Sequence, residues 1–266
     1  MNESVPRLHA LFEQHATETE RAWLESKRAL APPALLQAFV AAPRFIRKIP
    51  VELPTDAATF FAEQYPGYAL TGWPLDRLTR VLLLLTLPSD DEEQYVGWLD
   101  TLFSTAEVNE LVALYSALPL LPYPERWRFR ATEGVRSNMA PVFDAMALDN
   151  PYPARYLDET GWNQLVLKSI FNDKPLDRIV GFAERANQRL ADTLSDFAHE
   201  RWAAGRTVPP YAWRLTTRYL NETLLGDLRV LLQSERPEDR QVAAFVLSQT
   251  DSEPARRLLQ ENLSSD

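Results

Sequence analysis

Apolar residues recur at three- and four-residue intervals along almost the whole chain, and its twenty prolines fall mostly in the gaps between those stretches. A period near 3.6 residues puts apolar side chains on one face of a helix, whereas a half-buried strand needs alternation, which is nearly absent here. Proline lacks an N–H and clashes with the preceding turn, so a chain punctuated this way is cut into short helices. The expected fold is therefore all-α, an irregular helical bundle or an α-solenoid-like stack, in one domain over residues 1–266. Helix pairing is clearest at the C-terminus. There, residues 221–263 read as a HEAT-like unit, with helices over 221–233, 237–248 and 252–263 separated by the polar breaks SERPED and TDSEP.

The N-terminal half gives sharper local expectations. Leu8, Leu11 and Phe12, followed by Trp23 and Leu24, mark an apolar stripe, with Pro6 near a helix start where its missing N–H costs little. A helix over 33–42 carries Leu35, Leu36, Phe39 and Val40 and ends at Pro43; Arg44, Arg47 and Lys48 then read as a solvated loop. Residues 55–65 form a short helix. Over 76–85 apolar side chains surround the axis, the pattern of a central, fully packed helix. Ser89 with Glu92, and Ser104 with Glu107, have capping-box spacing, which predicts two short-linked helices packed antiparallel. In NPYP, Pro151 and Pro153 restrict themselves and the residues before them, so 150–153 reads as a rigid turn with Tyr152 fixed as packing.

Composition removes several function classes. With 28 Lys and Arg against 37 Asp and Glu the formal charge is −9, which disfavours nucleic acid and anionic membrane as partners. Cysteine is absent, which excludes disulfides, thiolate catalysis and Cys-ligated metal, and the three His are dispersed. No cofactor or metal site is expected. No apolar run approaches the ~20 residues that cross a bilayer, and the first residues lack the basic start and apolar core of a secretory signal. A soluble, cytoplasmic protein with no membrane span is expected.

The densest mixture of proline, aromatic, arginine and amide residues lies in 118–171, and the candidate ligand-binding residues are drawn from there and from the next helix. On a helix over 124–138, Arg126, Arg130, Glu133 and Ser137 share one face, with Arg136 and Asn138 nearby. They form either a solvated face with an i,i+3 ion pair or an anion site suited to guanidinium forks. Gly134 in that helix implies a close helix contact. Over 158–171, Trp162, Leu165, Val166, Leu167, Ile170 and Phe171 imply burial on most sides, so Asn163, Gln164 and Lys168 either tie off helix ends or line a cavity. In the helix over 187–204, closed by Gly205, Arg201 projects into the Leu190, Leu194 and Phe197 stripe, with His199 at its edge. Arg201 is expected to be held inward and paired with an acid of the central stretch, Glu133 first; snorkelling, bonding to carbonyls at the helix end, or a bound carboxylate are the alternatives.

LPLLPYPERW (118–127), EGVRSNM (133–139), NPYPA (150–154), WNQLVLKSIF (162–171) and AHERWAAGR (198–206) resemble the signature blocks of the EboA family, and the 81–88 run resembles it more loosely. The resemblance implies a bacterial gene cluster with a UbiA-like prenyltransferase, a TatD-like hydrolase, and isomerase-like and dehydroquinate-synthase-like proteins. That cluster is associated with making or moving a small secondary metabolite. It supplies no catalytic residues. The expected function is a non-catalytic helical binding protein that holds a small apolar or anionic intermediate, such as a prenylated one, or docks other proteins of the cluster. Two alternatives stand beside it: an enzyme using His199 or Glu133 as acid or base, and a solenoid adaptor between proteins.

Overall fold

The computed structural model describes residues 3–263. Among them there is no strand, and an isolated bridge joins Pro50 to Pro74. The chain divides into two compact units, Met1–Gly161 and Trp162–Asp266. The first contains α1 (Ser4–His15), α2 (Glu18–Glu25), α3 (Pro32–Ala41), α4 (Thr55–Gln64), α5 (Leu75–Leu85), α6 (Glu92–Thr105), α7 (Val108–Ala117), α8 (Arg128–Arg136), α9 (Ala140–Ala147) and α10 (Tyr152–Tyr156). The chain continues through α11 (Glu159–Phe171), α12 (Gln188–Ala203), α13 (Glu222–Leu232), α14 (Pro237–Ser248) and α15 (Glu253–Leu263).

The apolar-all-round stretch is the centre of the first unit. Nine of the eleven residues of α5 are buried, and α1, α3 and α7 pack on it; α9 in turn packs on α7 and α8. Burial here extends to charge. Arg80 is 1% exposed and donates from Nε to the Phe39 carbonyl at 3.1 Å, with Glu110, Glu107 and Asp76 oxygens 3.6, 3.8 and 3.9 Å from its terminal nitrogens. Burial lowers the Arg80 pKa and the three carboxylates oppose that shift.

Several local expectations are corrected. The cap of α6 is Asp91, whose carboxylate accepts from the Gln94 N–H, and not Ser89. The box of α7 joins Glu107 to Glu110 rather than Ser104 to Glu107, and α7 packs chiefly on α5 and α9 rather than on its sequence neighbour α6. The helix expected over 124–138 is a 3-10 turn, Pro124–Trp127, followed by α8, which stops at Arg136. Phe171 is half exposed at the end of α11, although Trp162, Leu165, Val166 and Ile170 are buried as expected. The 44–48 loop is only partly solvated. Arg47 reaches back to Glu20, a carboxylate 3% exposed in α2, with Nε to Oε1 at 3.0 Å and Nη2 to Oε2 at 2.9 Å.

The close contact implied by Gly134 is present. A Cβ there would sit 2.7 Å from Cε1 and 2.9 Å from Cζ of Tyr115, a buried ring packed against Phe103. Gly134→Ala is expected to lower unfolding stability by about 1–2 kcal/mol, because overpacking outweighs the ~1 kcal/mol gained in helix propensity. Urea unfolding monitored by fluorescence measures this, and a stabilised variant contradicts it.

NPYP is a turn only in its first half: Asn150 and Pro151 form the bend, and Tyr152 and Pro153 already open α10. Asn150 donates to the Tyr115 and Ala145 carbonyls at 3.1 and 2.9 Å and accepts from the Tyr152 N–H at 3.0 Å, while the buried Tyr152 donates its hydroxyl to the Pro124 carbonyl at 2.6 Å. In the second unit α12, α13, α14, α15 and a 3-10 turn, Pro210–Thr216, pack around Trp213, Leu194, Leu228 and Val246. α12 ends in a Schellman motif: Gly205 has φ +67, its N–H bonds to the Trp202 carbonyl, and the Arg206 N–H bonds to the Arg201 carbonyl.

Candidate functional site

The first unit holds a cleft of about 960 Å³, near the upper end of ligand-pocket volumes. Two sequence features shape it. The end of α5 turns Leu82, Leu85, Thr86 and Leu87 toward it. After α7 the prolines of LPLLP tighten the chain into a 3-10 turn, Leu118–Leu120, then an extended Leu121, so that Pro119, Leu120, Leu121 and Pro122 form a second wall. Val5, Pro6, His9 and Ala10 of α1, with Leu24 and Arg28, make the opposite side, and Tyr65, Ser89 and Tyr95 complete the lining. Exposure orders these residues: Leu24, Leu82, Leu87, Tyr95, Leu120 and Leu121 are buried, whereas Pro6, Ala10, Arg28 and Ser89 are exposed and mark the mouth.

Eleven of the seventeen lining residues are aliphatic or proline, so the interior favours an apolar guest. At the mouth Arg28 carries positive charge and pairs with Glu25 at 3.1 Å, and His9 Nε2 lies 3.8 Å from Glu13. Tyr95 is the polar residue of the interior. It is 1% exposed, its hydroxyl has no hydrogen-bond partner, and burial pushes its pKa well above the ordinary phenol value.

None of the ten candidates read from the sequence lines this cleft. Arg126, Arg130, Glu133, Arg136 and Asn138 belong to the first unit. Arg126 bonds to Glu92 and Glu93 at 2.8 Å, while Arg130 bridges Asp100 at 2.9 Å and Glu133 at 2.8 Å and lies over the Phe103 ring. The i,i+3 ion pair is thus formed, and Arg126 and Arg130 each also meet carboxylates of α6, Glu92 and Glu93 for the first and Asp100 for the second. Arg136 and Asn138 are exposed.

The other five lie in the second unit. Asn163 exchanges amide hydrogen bonds with Asn187, whose side chain caps α12 by accepting from the Leu190 N–H, so Asn163 ties off a helix end. Gln164 is exposed, and Lys168 is half-buried with its pKa lowered by desolvation. His199 Nε2 lies 2.6 Å from Asp227 Oδ1, and the buried Ser195 donates to Oδ2 of the same carboxylate at 2.5 Å. Arg201, expected to pair with Glu133, donates from Nε to the carbonyl of Thr207, in the loop beyond α12, at 3.0 Å and sets its guanidinium over Phe197, while Glu133 pairs with Arg130. Among the described residues no group of three or more His, Asp or Glu is placed to hold a metal ion.

The cleft residues escaped attention because aliphatic side chains carry no chemical signature. A clue was present in the LPLLP run and in the 81–88 run, two adjacent apolar segments in which proline or a helix end leaves a wall that neighbouring helices do not fill.

Fold and site define an all-helical protein with an apolar cleft of ligand size. No helix among the described residues is long and apolar enough to cross a membrane. Residues 5–217 match the family described as metabolite traffic protein EboA, and the chain belongs to that family. Comparison with curated proteins and with solved structures gives no match.

Proposed function

We propose that this chain is a non-catalytic binding protein that holds a small apolar intermediate of secondary metabolism in the cytoplasm and hands it on to other proteins of the same gene cluster. The observation that carries this reading is the 960 Å³ cleft, with buried leucines inside and Arg28 and His9 at its mouth. Such a shape suits an apolar body, prenyl-like in character, whose charged end, if it has one, stays near water. The family description, which names metabolite traffic, supports the same reading. The proposal extends to residues 221–263 as one HEAT-like unit, supported by the short connections between α13, α14 and α15 and their mutual packing.

Filling the mouth tests the reading. Ala10 is exposed on α1, so Ala10→Trp leaves the core intact and is expected to change stability by no more than about 0.5 kcal/mol. The neutral dye N-phenyl-1-naphthylamine is expected to fluoresce on binding the wild-type protein and to bind Ala10→Trp at least about tenfold more weakly, a loss of ~1.4 kcal/mol. Equal dye binding by the two proteins removes the cleft as the ligand site.

A further inference from the structure

We propose that the second unit carries an anion site, independent of the cleft, that takes the phosphate of a small organic phosphate ester between Arg214 and Arg218. A pocket of about 310 Å³ opens beside the 3-10 turn Pro210–Thr216 and the end of α14, and its lining includes Glu184, Arg214, Thr217, Arg218, Phe245 and Gln249. That is the small end of ligand-pocket volumes, enough for one charged group and a short body.

The two arginines set this pocket apart. Among the described residues neither forms an ion pair or donates a side-chain hydrogen bond, although acidic residues outnumber basic ones in the chain. Elsewhere Arg47, Arg80, Arg126 and Arg130 each reach a carboxylate. Glu184 borders the same pocket, yet it is exposed and pairs with neither arginine. Arg218 is exposed, whereas Arg214 is half-buried and clamped, its guanidinium carbon 5.0 Å from the centroid of the Tyr211 ring and 4.4 Å from that of Phe245. Its Nε is sealed without an acceptor, so ligand contact falls to the two terminal nitrogens, which likewise have no protein partner and stay accessible along the pocket wall. Stacking between two rings fixes the plane of this fork before anything binds, which lowers the ordering cost of binding.

Two cations that share a wall without a counter-charge repel one another, and an anion seated between them removes that repulsion. Phosphate fits better than carboxylate. A phosphate monoester offers three free oxygens and up to two negative charges, against two oxygens and one charge. The donors facing it are two guanidinium forks and the unpartnered Gln249 amide, while the Thr217 hydroxyl is already committed to the Arg214 carbonyl at 3.0 Å. The Phe245 ring, exposed at the same wall, gives the apolar group of the ester a contact.

The test uses the full chain and phenyl phosphate, titrated calorimetrically at low ionic strength, with benzoate as the carboxylate probe. Wild type is expected to bind phenyl phosphate at least about fivefold more tightly than benzoate. Arg218→Gln, which removes an exposed and unpaired cation, is expected to weaken phenyl phosphate binding about five- to tenfold with an unchanged unfolding midpoint. Arg214→Lys keeps the charge but loses the fork, and is expected to bind at least about threefold more weakly. Arg206→Gln makes the same charge change as Arg218→Gln at an exposed residue outside the pocket, and is expected to stay within about twofold of wild type. Unchanged affinity in Arg218→Gln or Arg214→Lys overturns the inference, as does an equal loss in Arg206→Gln. Benzoate binding as tightly as phenyl phosphate overturns it too, and so does the absence of saturable phenyl phosphate binding by the wild type.

Discussion

Arg80→Met is expected to destabilise the first unit by about 3–5 kcal/mol, the loss seen when one member of a buried charge cluster is removed. The guanidinium is buried on α5 among Asp76, Glu107 and Glu110, and both Asp76 and Glu110 are themselves buried. Glu110 is also committed locally, accepting the Glu107 N–H through Oε2 at 3.1 Å while Oε1 faces Arg80. Methionine matches the aliphatic stem but leaves two buried carboxylates without a cation and the Phe39 carbonyl without its donor. Neutralising the survivors should therefore recover much of the loss. Adding Asp76→Asn and Glu110→Gln to Arg80→Met is expected to restore the urea midpoint most of the way, since an uncharged cluster needs no counter-ion and the new amide oxygen can still accept the Glu107 N–H at the start of α7. A midpoint that falls further in the triple variant would show that packing of the guanidinium, and not charge, holds α5 to α7.

Glu20→Gln is expected to cost about 2 kcal/mol near neutral pH and to cost progressively less in acid. Burial alone would raise the Glu20 pKa; hydrogen bonds from the Arg47 side chain, the Thr17 and Arg47 N–H groups and the Thr17 hydroxyl outweigh it and bring it down to about 2 from 4.5. A shift of that size corresponds to about 3 kcal/mol, reduced here because Arg47 is 48% exposed and its charge is screened by water. The folded state binds the Glu20 proton less readily than the unfolded chain. Its contribution is therefore complete above about pH 4.5 and is lost as pH falls toward 2. Unfolding curves of wild type and Glu20→Gln should converge across that window, and a gap that stays constant down to pH 2 would remove the ion pair as its source.

Both clusters show what a single sequence conceals. Glu20 was legible in part, since Thr17 and Glu20 have capping-box spacing and the box is formed, whereas the boxes expected at Ser89 and Ser104 are not. Where several polar residues adjoin, as in 89–92, each competes to cap, and packing of the helix selects among them. At α6 that choice falls on Asp91, while the Ser89 carbonyl accepts from Tyr123. Arg47 lies 27 residues from Glu20, a separation that no local pattern encodes.

The sequence by itself determined that the described chain is all-helical, where most helices lie, that α5 is the buried centre of its unit, that Gly134 meets a neighbouring helix and that Tyr152 is fixed as packing. These follow from periodicity, proline placement and backbone sterics, which act over a few residues. The tertiary structure decided the partners of the charged residues and the position of the cleft. Arg126, Arg130, Asn163 and Arg201 have the conspicuous chemistry of ligand contacts, yet each is engaged by a carboxylate, an amide or a loop carbonyl. The cleft is made instead by leucines and prolines from segments far apart in the chain, and an apolar cavity exists only where packed helices fail to fill the space between them.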